Sequence, residues 1–247
     1  MIFQKRPQRH PLEDGEFKPK DHNCQRVKCR VTGEFDMQLT QEPFHLELPS
    51  VANLRPRIDN SSDHVIVVDA NDTAIGTAPK LEAHRTGLRH RAISIIIGDR
   101  HRRILLHRRA AGKYHSGGLW TNTSCSHPRP GEHASEAAVR RLVEEMGISC
   151  PLAFMFSMNY RAEVSNGLIE DEIVHVFGGR FDGAPIPDPI EVSDWCWKPF
   201  GEVEQDVDAR PDSYTIWFRK IRNEFWSDIV VSLYGRGPGV EPKPSTA

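Results

Sequence analysis

Cys125 and His127 stand two residues apart in Trp120-Thr121-Asn122-Thr123-Ser124-Cys125-Ser126-His127-Pro128, a stretch whose Trp and Thr content favours extended chain. Side chains alternate along a strand with a period of two, so the thiol and the imidazole are predicted to share a face. Glu170 and Glu172 repeat the pattern in Gly167-Leu168-Ile169-Glu170-Asp171-Glu172-Ile173-Val174, where apolar flanks predict a strand with both carboxylates on one side. A thiol, an imidazole and two carboxylates on strand faces point to a metal-assisted acid/base site. Taken singly, each has a plainer reading. A lone Cys packs as a small hydrophobe, a lone His hydrogen-bonds, and an E-x-E is a solvated strand face.

The elements that must position these groups lie in the middle of the chain. Strands are predicted at 64–69, 92–97, 103–108, 153–160, 168–178 and 192–197, with a Gly98-Asp99 hairpin between the second and third. A helix over 135–146 carries Val139, Leu142, Val143 and Met146 at helical spacing, with Gly147 to stop it. A second helix over 211–225 carries Tyr214, Trp217, Phe218, Ile221 and Phe225 on one stripe. The class is α+β, a mixed sheet flanked by helices, forming one domain over 61–234. Residues 1–60, polar and weakly periodic, read as a poorly ordered extension, and 235–247 as a flexible tail. His22, Cys24 and Cys29 make only a weak zinc pattern, lacking a second matched pair.

With 38% apolar residues in 247 and a net charge of −2, the chain has material for one sizeable core and no basic patch for nucleic acid. No apolar run is long enough to span a bilayer, and the first residues carry no signal-peptide h-region. Five scattered cysteines suit reduced thiols in a cytoplasm.

On the first helix, Arg141 and Glu145 lie four apart, a spacing that by itself reads as a surface ion pair. The run Arg140-Arg141-Leu142-Val143-Glu144-Glu145-Met146-Gly147-Ile148 resembles the end of a Nudix box, whose glutamates hold the metal of a bound diphosphate. It departs where the box carries its first catalytic glutamate, here Arg141, and where its opening glycine falls on Ser126. These departures disfavour a hydrolase.

Together with Lys80-Leu81-Glu82-Ala83-His84, His90, Arg108-Arg109, Lys113, Tyr160-Arg161 and Trp217, these motifs resemble the type I isopentenyl diphosphate isomerases, a metal-dependent, flavin-independent branch with a Nudix-like fold. The resemblance covers roughly residues 62–228. It implies interconversion of isopentenyl and dimethylallyl diphosphate through a tertiary carbocation, with Cys125 and Glu172 as the acid/base pair, Tyr160 beside Glu172, and Trp217 facing the cation. It further implies one divalent ion (Mn, Zn or Mg) on His84, His90, His127, Glu170 and Glu172, and a Mg2+ between the diphosphate, Glu145 and the Cys125 carbonyl. Lys80, Arg109, Lys113 and Arg141 would hold the phosphates. His84 and His90 are six residues apart, where the family often has seven. The implied partner is a small prenyl diphosphate, with no nucleic acid or membrane, and the chain a cytoplasmic monomer or weak homodimer. Two other readings stay open: a Nudix-type diphosphate hydrolase, and a non-catalytic diphosphate-binding or zinc-stabilised module.

Overall fold

The computed structural model describes residues 63–235, so the extension expected over 1–60, the Cys24 and Cys29 pattern within it, and the tail beyond Gly235 lie outside the described residues. Strands β1 (His64–Val68) and β2 (Ala74–Pro79) lead into α1 (Lys80–Thr86), then β3 (His90–Gly98), β4 (Arg103–Arg109) and the short β5 (Trp120–Thr121) and β6 (Ser124–Ser126). Helix α2 (Ala134–Met146) is followed by β7 (Leu152–Val164), β8 (Leu168–Arg180), β9 (Val192–Pro199), α3 (Phe200–Ala209) and α4 (Ile216–Tyr234).

Strand β3 organises the mixed sheet. One edge pairs in parallel with β8, from His90 opposite Glu172 to Gly98 opposite Arg180, and the other edge pairs antiparallel with β6 and meets β1 at Val67. The hairpin turn expected at Gly98-Asp99 forms, with the Asp99 N–H donating to the Arg103 carbonyl at 3.0 Å, but only Gly98 and Ile104 pair across it. Both edges of β3 are already taken, so β4 splays away to pair with β9 and β5.

Alternation along β3 sorts its side chains between two cores. Ile93, Ile95 and Ile97 pack with Ala138, Leu142 and Met146 of α2, whereas Ala92 and Ile96 pack with Trp217, Phe218 and Ile221 of α4 and with Val203 and Val207 of α3. Each such aliphatic side chain contributes about 1.5–3 kcal/mol by leaving water. Helix α2 stops where expected: Gly147 takes φ 62°, and a Cβ there would lie 2.5 Å from the Ile186 carbonyl oxygen.

The last helix differs from its expected bounds. Residues 211–213 form a single 3-10 turn, and α4 starts only at Ile216, because the intervening chain is drawn onto β5. Tyr214 bridges Trp120, the Thr215 N–H donates to the Trp120 carbonyl at 2.9 Å, and the Thr215 hydroxyl donates to that of Thr121 at 2.9 Å. Among the described residues, no helix is long and apolar enough to cross a membrane, and Cys125, Cys150 and Cys196 are free thiols.

Candidate metal and substrate site

The parallel register of β3 and β8 sets His90 opposite Glu172, and the antiparallel register of β7 and β8 sets Tyr160 opposite the same glutamate. The Tyr160 hydroxyl lies 2.6 Å from Glu170 Oε2 and 3.0 Å from Glu172 Oε2, so it can donate to either carboxylate. His127, just beyond β6, brings Nε2 to 3.0 Å from Glu172 Oε1 and 3.2 Å from His90 Nε2. His84 joins from α1, its ring centroid 4.7 Å from that of His90. The tight spacing of these two histidines is absorbed by Gly87, which ends α1 at φ 65° while the Leu88 N–H caps the Ala83 carbonyl.

The outer nitrogens fix what the inner ones can do. His84 Nδ1 lies 2.7 Å from the Lys80 carbonyl and His90 Nδ1 2.8 Å from that of Leu88. A carbonyl only accepts, so Nδ1 carries the proton and Nε2 of each neutral ring turns a lone pair inward. The ligand atoms of His84, His90, His127 and Glu172 all lie within 4.8 Å of one another, as do those of His84, His115 and Glu170. Buried imidazoles with tethered outer nitrogens, beside buried carboxylates, fit a divalent cation of the zinc, manganese or magnesium kind.

The electrostatics carry the same imprint. Burial, followed by the charge of Glu172, pushes Glu170 well above the carboxylate range. Burial acts on Glu172 in the same sense, but hydrogen bonds from His127 and His90 outweigh it and hold Glu172 well below that range. Burial pushes His127 down to about 3. It also lowers His84, with His90 adding to the effect, whereas on His90 the partner Glu172 overcomes burial and raises it.

Cys125 and His127 line the same cavity, as the alternation predicts, yet the strand carrying them is broken. Thr123 leaves it to fill the gap between β3 and β4, its hydroxyl accepting from the Ile97 N–H at 3.0 Å and donating to the Leu105 carbonyl at 2.8 Å. The break turns Asn122 inward. Its amide donates to Ser94 Oγ at 2.8 Å and to the Ile95 and Ser124 carbonyls, which leaves Oδ1 to accept from the Cys125 thiol at 3.1 Å. Burial pushes that thiol up to about 12.

The cationic side chains expected for phosphate stand on the cavity wall. Arg141 pairs with Glu145 at 2.5 Å and with Glu191 at 3.1 Å, and Lys113 pairs with Glu191 at 2.7 Å. Arg109 lies over the Trp217 ring at 5.2 Å, and the Lys80 ammonium over Tyr114 at 5.1 Å. The cavity they share with Cys125, Tyr160 and Glu172 holds about 80 Å³. Glu145 is buried apart from the histidine group, with Arg141 as its partner.

The expected site residues other than Glu145 therefore line this cavity or adjoin it in the histidine group, and Arg141 joins Glu145 to its wall. Sequence reasoning passed over His115, Glu191 and the role of Asn122 in holding the thiol. His115 and Glu191 sit in loops without periodicity, where a single His or Glu carries no spacing signal; Asn122 lay inside the motif already singled out.

The NUDIX domain matches residues 88–218, and fold and site together define a Nudix-domain protein. A Deinococcus radiodurans protein of known crystal structure, DR0079, superposes with a TM-score of 0.54 over 66% of this chain and 99% of its own, at 15% identity. Two curated relatives from Aromatoleum aromaticum are closer in sequence. Isopentenyl-diphosphate Delta-isomerase 2 is 54% identical over 74% of this chain and 96% of its own length, and isopentenyl-diphosphate Delta-isomerase 1 is 55% identical over 63% and 88%. The chain belongs to the isopentenyl-diphosphate Delta-isomerase family.

Proposed function

We propose that this protein interconverts isopentenyl and dimethylallyl diphosphate. Moving the double bond requires a proton added at one carbon and removed at another, hence two acid/base groups meeting one substrate. The observation that carries the reading is that Cys125 and the Glu172 and Tyr160 pair reach one small cavity from strands on opposite edges of β3, with Trp217 in its wall. Glu172, taking over through the Tyr160 hydroxyl the proton that burial holds on Glu170, gives it to the terminal carbon as the π electrons form the new C–H bond. The tertiary cation left behind loses its C2 proton to the thiolate of Cys125, the electron pair of that C–H bond becomes the new double bond, and Cys125 ends as the thiol that burial favours. The two groups exchange roles in reverse.

Trp217 presents its π face to the cation, an interaction of about 2 kcal/mol when desolvated, and the closed pocket keeps water from capturing it. His84, His90, His127, Glu170 and Glu172 would hold the divalent ion, which when bound orients Glu172 and tunes its proton affinity. Lys80, Arg109, Lys113 and Arg141 would hold the phosphate oxygens, and Glu145 would be the carboxylate of the accompanying Mg2+. Arg141 occupies the helix position where a Nudix hydrolase needs a glutamate base, which speaks against hydrolysis.

The experiment supplies isopentenyl diphosphate and Mg2+ to the pure protein and follows dimethylallyl diphosphate and free phosphate together. Dimethylallyl diphosphate without phosphate release is expected. Phosphate release would indicate a hydrolase, and no turnover a binding module.

A further inference from the structure

An imidazole outside the five expected metal ligands packs against two of them. His115, in the loop between β4 and β5, is 3% exposed. Its Nε2 is 3.3 Å from Glu170 Oε1, its ring stacks on His84 at 5.5 Å and 29°, and its edge meets the Trp217 ring at 5.9 Å. His84 is the member common to the two groups of converging ligand atoms, and His115 and Glu170 complete the second.

The loop is built to hold the ring there. Ser116 adopts φ 52°, an uncommon left-handed conformation for a serine, and its N–H donates to Ser165 Oγ at 2.8 Å. The Asn166 amide donates to the Tyr114 carbonyl at 2.7 Å and Arg109 to the His115 carbonyl at 3.2 Å, so each residue from 114 to 116 has its backbone tied. His115 Nδ1 lies 3.2 Å from Ser116 Oγ, which repeats the tethered outer nitrogen of His84 and His90 and turns Nε2 toward the carboxylate.

We propose that His115 is a sixth protein ligand of the divalent ion held by His84, His90, His127, Glu170 and Glu172, with Nε2 as donor atom. This rests on the metal centre proposed above and extends it. Six protein donors fill an octahedral ion and leave no position for water. The ion is then a fixed charge and template rather than a source of hydroxide, as proton transfer without hydrolysis requires. The edge contact of His115 with Trp217 also ties the position of the indole to an occupied centre.

The test strips the full-length protein of metal, reloads it with Mn2+, and counts coordinated imidazoles by pulsed electron paramagnetic resonance with 15N-labelled histidine. Four imidazoles are expected in the parent and three in His115→Ala and His115→Gln, with Mn2+ affinity reduced at least about tenfold. Circular dichroism of the metal-free forms checks that each variant is folded, and the glutamine variant keeps a polar group in the buried position should alanine misfold. Three imidazoles in parent and variants alike, with equal affinity, would overturn the sixth ligand and leave the five-residue centre standing. A parent that binds no Mn2+ would overturn the centre itself and this inference with it.

Discussion

Cys125 and Trp217 make demands on the substrate that separate at the level of single side chains. A serine at 125 can still donate to Asn122 Oδ1, so Cys125→Ser is expected to keep fold and metal content. A hydroxyl is a far weaker acid and base partner than a thiol, and turnover is expected to fall by about 10²–10⁴-fold. Deuterium uptake into substrate from heavy water measures this, and parent-like exchange would remove Cys125 from the chemistry. Trp217→Phe keeps an aromatic face for Arg109 but offers a smaller one to a cation. Its kcat is expected to drop about tenfold with KM nearly unchanged, the signature of an interaction made in the transition state. A merely structural Trp217, itself in the core beneath α4, predicts the reverse, with lowered thermal stability and parent activity per folded molecule.

At the scale of elements, the seven residues of α1 and the Gly87 turn decide whether two histidines six apart can meet. Because the turn brings both rings to the same centre, His84→Ala and His90→Ala are expected to lose divalent metal to a similar degree, read by equilibrium dialysis with metal analysis. A His84→Ala protein with parent metal content would exclude His84 as a ligand. Helix α2 was legible from its apolar stripe and Gly147, which are local signals. Helix α1 was not, since seven residues show too little periodicity, and the ten-residue α3 offered only Phe200, Val203 and Val207. The start of α4 was misread because Tyr214 continues the apolar stripe while its backbone is bound to β5. That departure reaches the thiol: the Thr215 hydroxyl donates to Thr121, Thr121 to Asn122 Oδ1, and Asn122 Oδ1 also accepts from Cys125.

Across the whole molecule, the helical layer that carries Trp217 is fastened to the sheet through Asp206 on α3. Its carboxylate accepts from Tyr214 and Arg210 at 2.7 Å and pairs with Lys198 of β9. Burial works to raise its pKa, but these partners prevail and hold it at about 2, below the ordinary 3.8. A depressed carboxylate stabilises the fold fully above its unfolded pKa and loses that contribution as pH falls through the folded one. Asp206→Asn is therefore expected to unfold more easily than the parent at pH 7. Solvent screening at this partly exposed site trims the difference to about 1 kcal/mol. Urea titrations at a series of pH values should show the gap closing between about pH 4 and pH 2. A gap independent of pH would mean that shape rather than charge holds the clamp.

The amino-acid sequence alone determined which residues can do chemistry and which strands and which long helix carry most of them. Alternation and helical periodicity depend on neighbours within a few positions, and the E-x-E pair, the Cys and His pair and the α2 stripe are patterns of that range. Convergence was decided elsewhere. His90 meets Glu172 only because β3 and β8 pair in parallel in one register, and two strands separated by some eighty residues carry no local mark of that register. The same holds for Thr123 leaving its strand to fill the space where β4 splays, for Glu191 holding Lys113 and Arg141, and for His115 entering beside Glu170. Each position follows from which edges and cavities remain after the sheet has paired and both cores have closed, a property of the assembled chain that no short segment contains.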